Sequence, residues 1–147
     1  MVENIKKVLH TGISVNNMEE SVAWYEKFLG FHPISDAYAP PLGARIVFIR
    51  RDDLDYEIEL FRYDAPKPIP ADRLMPNSDL QTVGTKHVAF LVDDMDALKR
   101  DFVAGGVDIA LLIKNSFEFI DVLFTDHAVI WVGRRFFICF GCWAIWV

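Results

Sequence analysis

The chain has 147 residues and a formal net charge of −6, with 52% hydrophobic and 24% charged residues. Such a length and composition indicate one globular domain, long enough to bury about two-thirds of its unfolded surface. The acidic balance argues against a nucleic-acid partner, because no basic run is present that could release counterions from phosphate. No signal peptide is recognisable, and the longest apolar run, residues 136–147, is too short to span a bilayer. Two cysteines in such a chain favour a cytoplasmic protein.

The first half of the chain predicts one βαβββ module. Residues 8–15 alternate as a strand does, and Asn17 then stands where a helix N-cap belongs, with Glu20 three residues later. An apolar stripe begins at Met18, and Gly30 ends the predicted helix. Three further strands are predicted near residues 31–37, 44–51 and 55–63.

The second half predicts the same module again. Residues 64–82 contain four prolines and predict a linker, after which a strand carrying His87 precedes a helix capped by Asp94. Gly105 and Gly106 end that helix, and strands are predicted near residues 107–113, 117–124 and 128–133.

The two modules repeat one another at a spacing of 77 residues. The matched pairs are His10 with His87, Val15 with Val92, and Met18 with Met95. Two copies indicate duplicated modules and not a solenoid. If such modules pair face to face, the two imidazoles converge on one site, which is the arrangement that a metal ion needs.

The predicted strand at residues 55–63 adds carboxylates, because Asp55, Glu57 and Glu59 share one face. One interpretation is an edge strand with a solvated acidic face. The other is that a carboxylate completes a site with two histidines, suited to zinc, nickel, manganese or iron(II). The alternation does not choose between Glu57 and Glu59.

Other polar residues are weaker candidates. Arg45, Arg50 and Arg62 could face a substrate anion, but solvated strand faces explain them as well. Cys139 and Cys142 lie in an apolar tail and are expected to be buried thiols, since zinc would need two more ligands.

Four stretches together carry a resemblance to a known family: LHTGISV, SVAWYEKFLGF, IELF and GTKHVAFLVDD, within roughly residues 5–113. The chain resembles the vicinal oxygen chelate superfamily, which includes glyoxalase I, bleomycin resistance proteins and extradiol dioxygenases. The resemblance implies an α+β fold in which two paired βαβββ modules form a curved mixed sheet around a central cleft. Within a single domain, module one would cover about residues 5–63 and module two about residues 83–134, followed by an atypical apolar tail at 135–147.

The same resemblance implies a divalent metal held by His10, Glu59 and His87. A carboxylate at the second ligand position is similar to glyoxalase I. The implied function is lyase or isomerase chemistry, in which the metal polarises a small oxygenated metabolite and Glu59 acts as the catalytic base.

The chain departs from the family pattern at the fourth ligand. Trp131 falls where a glutamate is usual, so water, His127, Asp126 or a residue from another chain would have to substitute, and impaired activity is expected. Ser14 and Tyr63 stand where glyoxalase I has an arginine and an asparagine, which puts glutathione as the thiol in doubt.

Two other functions stay open on this reasoning. Two histidines and one carboxylate also describe an iron(II) dioxygenase site, and a non-catalytic drug- or metabolite-binding protein of the resistance type would use the same cleft. A homodimer is expected, and the apolar tail would be a buried strand, a dimer-interface segment or the product of a shifted reading frame.

Overall fold

A computed structural model of the chain describes residues 5–70, 83, 89–107, 111–113, 119–123 and 129–133. The chain divides into two compact units, Met1–Pro66 and Lys67–Val147. The elements of the first unit are β1 (His10–Ser14), α1 (Met18–Leu29), β2 (His32–Ala39), β3 (Ala44–Arg50) and β4 (Glu57–Tyr63). Those of the second are β5 (Ala89–Leu91), α2 (Met95–Ala104), β6 (Leu111–Ile113), β7 (Phe119–Leu123) and β8 (Val129–Gly133). The α+β class and the two βαβββ modules are thereby confirmed.

Helix α1 begins and ends where the sequence predicts. The Asn17 side-chain oxygen accepts hydrogen bonds from the backbone N–H groups of Glu19 at 3.1 Å and Glu20 at 3.3 Å, so two N–H groups without helical partners are satisfied. At the other end, Gly30 takes a left-handed conformation with φ of 69°, which glycine adopts without steric cost.

The first sheet has the strand order β1-β4-β3-β2. Strand β1 runs parallel to β4, whereas β3 is antiparallel to both β4 and β2. The parallel pairing of β1 and β4 sets Gly12 directly opposite Glu59 and His10 opposite Glu57. First and last strands of the module are therefore neighbours, although 42 residues lie between Ser14 and Glu57.

The two faces of this sheet have different roles. Alternate residues of β3 and β4 are buried with residues of α1 and its C-terminal end, and this core layer consists of Val47, Ile49, Ile58, Leu60, Met18, Tyr25 and Phe31. Because side chains alternate along a strand, the intervening residues lie on the opposite face. That second face carries His10, Phe48, Glu59 and Phe61.

The second unit has the equivalent strand order, β5-β8-β7-β6, with β5 parallel to β8. Asp94 caps α2 as predicted, and its carboxylate accepts a hydrogen bond of 2.9 Å from the backbone N–H of Ala97. The repeat predicted from the sequence therefore corresponds to two modules with the same strand topology. Within the described part of the chain, no helix is both long and apolar enough to cross a membrane.

Candidate functional site

His10 and Glu59 come together on adjacent parallel strands. The Nε2 atom of His10 lies 3.2 Å from Oε2 of Glu59, and the two side chains are 34% and 16% exposed. An imidazole nitrogen and a carboxylate oxygen are both ligands for borderline divalent metals. The pair is thus positioned so that one small molecule or ion can reach both atoms.

The structure distinguishes two glutamates that strand alternation leaves equivalent. Glu57 lies opposite His10 in register, but its carboxylate lies 3.6 Å from Nη1 of Arg50. Glu59 is the glutamate that contacts His10. The two residues share a face and differ in partner, so each can serve as a control for the other.

Aromatic side chains flank the His10–Glu59 pair. Phe48, which is opposite Glu59 in the β3–β4 register, meets the His10 ring edge-on at a centroid distance of 5.5 Å. Phe61 stacks on Tyr63 with centroids 6.2 Å apart and planes inclined by 20°. Phe48 and Phe61 were not singled out from the sequence, although the alternation that places Glu59 on this face also places Phe61 and Tyr63 there.

Gly12 makes room for one of these rings. A Cβ atom at Gly12 would lie 2.9 Å from Cε2 of Phe61 and 3.8 Å from Oε2 of Glu59. Real Cβ atoms do not approach so closely, so the Phe61 ring occupies space that any other residue at position 12 would need. The ring edge and the carboxylate oxygen of Glu59 therefore both border the space above Gly12.

Among the described residues, the donor atoms of His10 and Glu59 are of the kinds that bind the divalent metal implied by the resemblance. His10 and Glu59 supply one nitrogen and one oxygen donor, whereas the described residues contain no group of three His, Cys, Asp or Glu side chains that could hold a metal. The predicted third ligand, His87, and the predicted substitutes, Asp126 and His127, lie outside the described residues.

The second module has a tryptophan at the register position of Glu59. Ala89 is the repeat equivalent of Gly12, 77 residues later, and it pairs with Trp131 across β5 and β8 as Gly12 pairs with Glu59 across β1 and β4. Trp131 is also the residue that the resemblance places where the family usually has a glutamate. This register position supplies no carboxylate.

The candidate arginines differ in their partners. Arg45 bonds both oxygens of Asp36, at 2.9 and 2.8 Å, and also contacts Glu19. The Arg45 guanidinium accordingly holds the pKa values of the Asp36 and Glu19 carboxyls below their usual range, chiefly through these hydrogen bonds. Arg50 faces Glu57, and Arg62 donates to the backbone carbonyl of Tyr63 at 3.1 Å.

Comparison with known proteins agrees with this architecture. A curated relative, the uncharacterized protein YwkD of Bacillus subtilis, is 27% identical over 104 residues, which are 71% of this chain and 75% of YwkD. The structure of the trypanothione-dependent glyoxalase I of Leishmania major shares the fold with a TM-score of 0.66 at 21% identity, covering 89% of this chain and 88% of that one.

A second solved structure has the same fold. It is a point mutant of the fosfomycin resistance protein FosX of Listeria monocytogenes, complexed with Mn(II) and 1S,2S-dihydroxypropylphosphonic acid. Its TM-score is 0.66 at 12% identity, over 90% of this chain and 94% of FosX. The family model described as the glyoxalase/bleomycin resistance protein/dioxygenase superfamily matches residues 9–124. The chain belongs to this superfamily.

Proposed function

We propose that the chain is a divalent-metal-dependent enzyme of the glyoxalase type, which carries out lyase or isomerase chemistry on a small oxygenated metabolite. The observation that carries this proposal is the 3.2 Å approach of His10 Nε2 to Glu59 Oε2 on adjacent strands. Family membership supports it, as do the glyoxalase I and the Mn(II)-bound FosX among proteins of the same fold.

Each residue has a distinct part in this proposal. His10, Glu59 and His87 would hold the metal, and water, His127, Asp126 or a residue from another chain would fill the fourth position. The bound metal would polarise a substrate carbonyl or hydroxyl and so make the adjacent carbon more acidic. Glu59, on detaching from the metal, would take the proton from that carbon and return it to the neighbouring carbon, and its carboxylate is partly open to the site. Phe48 holds the His10 ring in its orientation through the edge-on contact.

Trp131 stands where the family usually has a glutamate, and this difference should lower the rate of turnover. If Asp126 does not fill the fourth position, Glu59 is the one carboxylate at the site and must serve both as ligand and as base. We therefore expect slow turnover, and we keep one alternative from another class: a binding protein that sequesters a drug or metabolite without transforming it.

The test is the metal content and activity of the full-length protein. Wild type should retain about one zinc, nickel, manganese or iron per chain after purification and dialysis. Glu59→Gln should bind that metal at least about tenfold more weakly, because the neutral amide is a poorer ligand. Its turnover of hemithioacetal substrates should fall in parallel, whereas Glu57→Gln should resemble wild type.

Three outcomes would contradict the proposed enzyme. The first is that Glu59→Gln binds the metal as tightly as wild type does. The metal-free protein could isomerise a hemithioacetal at ordinary enzyme rates. Tight ligand binding could survive both chelation and a His10→Ala change, and that result would instead support the binding protein.

A further inference from the structure

Phe61 lies beside the His10–Glu59 pair, although the proposed reaction does not require an aromatic residue there. Its Cε2 atom and the Glu59 Oε2 atom lie 2.9 and 3.8 Å from the same point above Gly12. Oε2 is also the atom that faces His10. A ligand held at His10 and Glu59 would thus have the edge of an aromatic ring as its neighbour.

The ring is held in this position from two sides. Gly12, opposite Glu59 in register, has no side chain that could displace it. Tyr63 stacks against the ring, at 6.2 Å between centroids, and is itself 36% exposed. Phe61 and Tyr63 together form a flat apolar strip along β4, which begins at the donor atoms and leads away from them.

We propose that Phe61, placed over Gly12 and backed by Tyr63, is a specificity-determining residue that selects substrates with an aromatic group next to their metal-binding oxygens. This inference rests on the proposed function, because the donor pair defines where the oxygens lie. Aromatic rings attract one another in stacked and edge-on arrangements beyond the effect of buried area. A ligand that carries a methyl group in place of the aromatic ring would gain much less binding free energy from Phe61.

Two hydroxamic acids provide matched probes. Acetohydroxamate and benzohydroxamate present the same pair of chelating oxygens and differ only in carrying a methyl or a phenyl group. Calorimetric titration into the Mn(II)-loaded full-length protein should show benzohydroxamate binding about five- to tenfold more tightly, as one favourable aromatic contact predicts.

Substitution then tests the residue itself. Phe61→Leu keeps an apolar side chain but removes the ring, and it should abolish most of the preference while leaving acetohydroxamate affinity within about twofold. Phe28→Leu, which removes an aromatic ring from α1 beside Trp24, should retain the full preference. The temperature of unfolding of each variant establishes that the comparison is made on folded protein.

The outcomes separate this inference from the proposed function. If both hydroxamates bind with equal affinity, or if Phe61→Leu keeps the preference, the aromatic subsite is wrong while the metal site stands. If the chain retains no metal and binds neither probe, the proposed function fails and the subsite fails with it.

Discussion

A single glycine links the strand pairing to the candidate site. Gly12 lies opposite Glu59, and the Phe61 ring occupies the space above it. Its φ is not among the positive values found at Gly30, Gly43 and Gly106, so the need for glycine here is steric and not conformational. The steric need for glycine at position 12 can therefore be tested by adding one methyl group, as in Gly12→Ala.

Gly12→Ala should lower the free energy of unfolding by about 1–3 kcal/mol, the usual cost of overpacking, because the new Cβ forces the Phe61 ring to move. Chemical denaturation of Gly12→Ala and wild type measures it, and Ser14→Ala, two residues along the same strand face, should change little. In a Phe61→Ala background the cost of Gly12→Ala should largely disappear, since the two changes share one contact. An equal cost in both backgrounds would mean that the ring is not the cause.

At the scale of elements, Arg45 connects three parts of the first module. Its guanidinium on β3 bonds Asp36 on β2 and contacts Glu19 in the first turn of α1. Arg45 thereby ties the first turn of α1 to the sheet, next to the Asn17 cap. The contacts are exposed, so each contributes modestly and is screened by salt.

The Arg45 contacts should make a small part of the stability depend on pH. The pKa values of Asp36 and Glu19 are lowered in the folded chain, so their contribution is present above the ordinary carboxyl range, about pH 4. It is lost as pH falls through the lowered values. Arg45→Gln should therefore reduce Tm near pH 7, and the difference from wild type should shrink as pH falls below about 4.

Arg62→Gln is the matched control for that measurement. Arg62 lies opposite Arg45 in register and donates to a backbone carbonyl. Its substitution should give a pH profile of stability parallel to that of wild type. A difference between Arg45→Gln and wild type that stays constant from about pH 7 to about pH 2.5 would contradict the assignment.

At the scale of the whole molecule, the chain contains two modules with the same strand topology. Both units order their strands in the same way, with the first parallel to the last. The first module supplies a nitrogen and an oxygen donor, and the second has Trp131 at the position of Glu59. The two modules have therefore diverged at this register position.

Metal binding should stabilise the whole chain by mass action. Free metal at about 100 times its dissociation constant adds roughly 2.7 kcal/mol, which corresponds to a rise in Tm of about 5–10 °C for a chain of this size. Thermal unfolding with and without a chelator measures the rise. Glu57→Gln should show it in full and Glu59→Gln only weakly; an equal rise in both would place the metal elsewhere.

Much of the fold could be predicted from the sequence, because its signals are local. Asn17 and Gly30 delimit α1 through hydrogen bonds and a backbone conformation within a few residues, and alternation marks β1. The 77-residue repeat predicted the two modules, and His10 and Glu59 were named together from the family resemblance. The metal, the part played by His87 and the homodimer stay predictions.

What the sequence determined by itself was the set of elements and the face on which each side chain lies, since both follow from periods of two and 3.6 residues along one segment. Only the tertiary structure decided which of two glutamates contacts His10, and that Phe61 lies over Gly12. Those facts depend on the register between β1 and β4, strands that are distant in sequence. Alternation is the same for registers two residues apart, so contacts across the sheet are needed to choose between them.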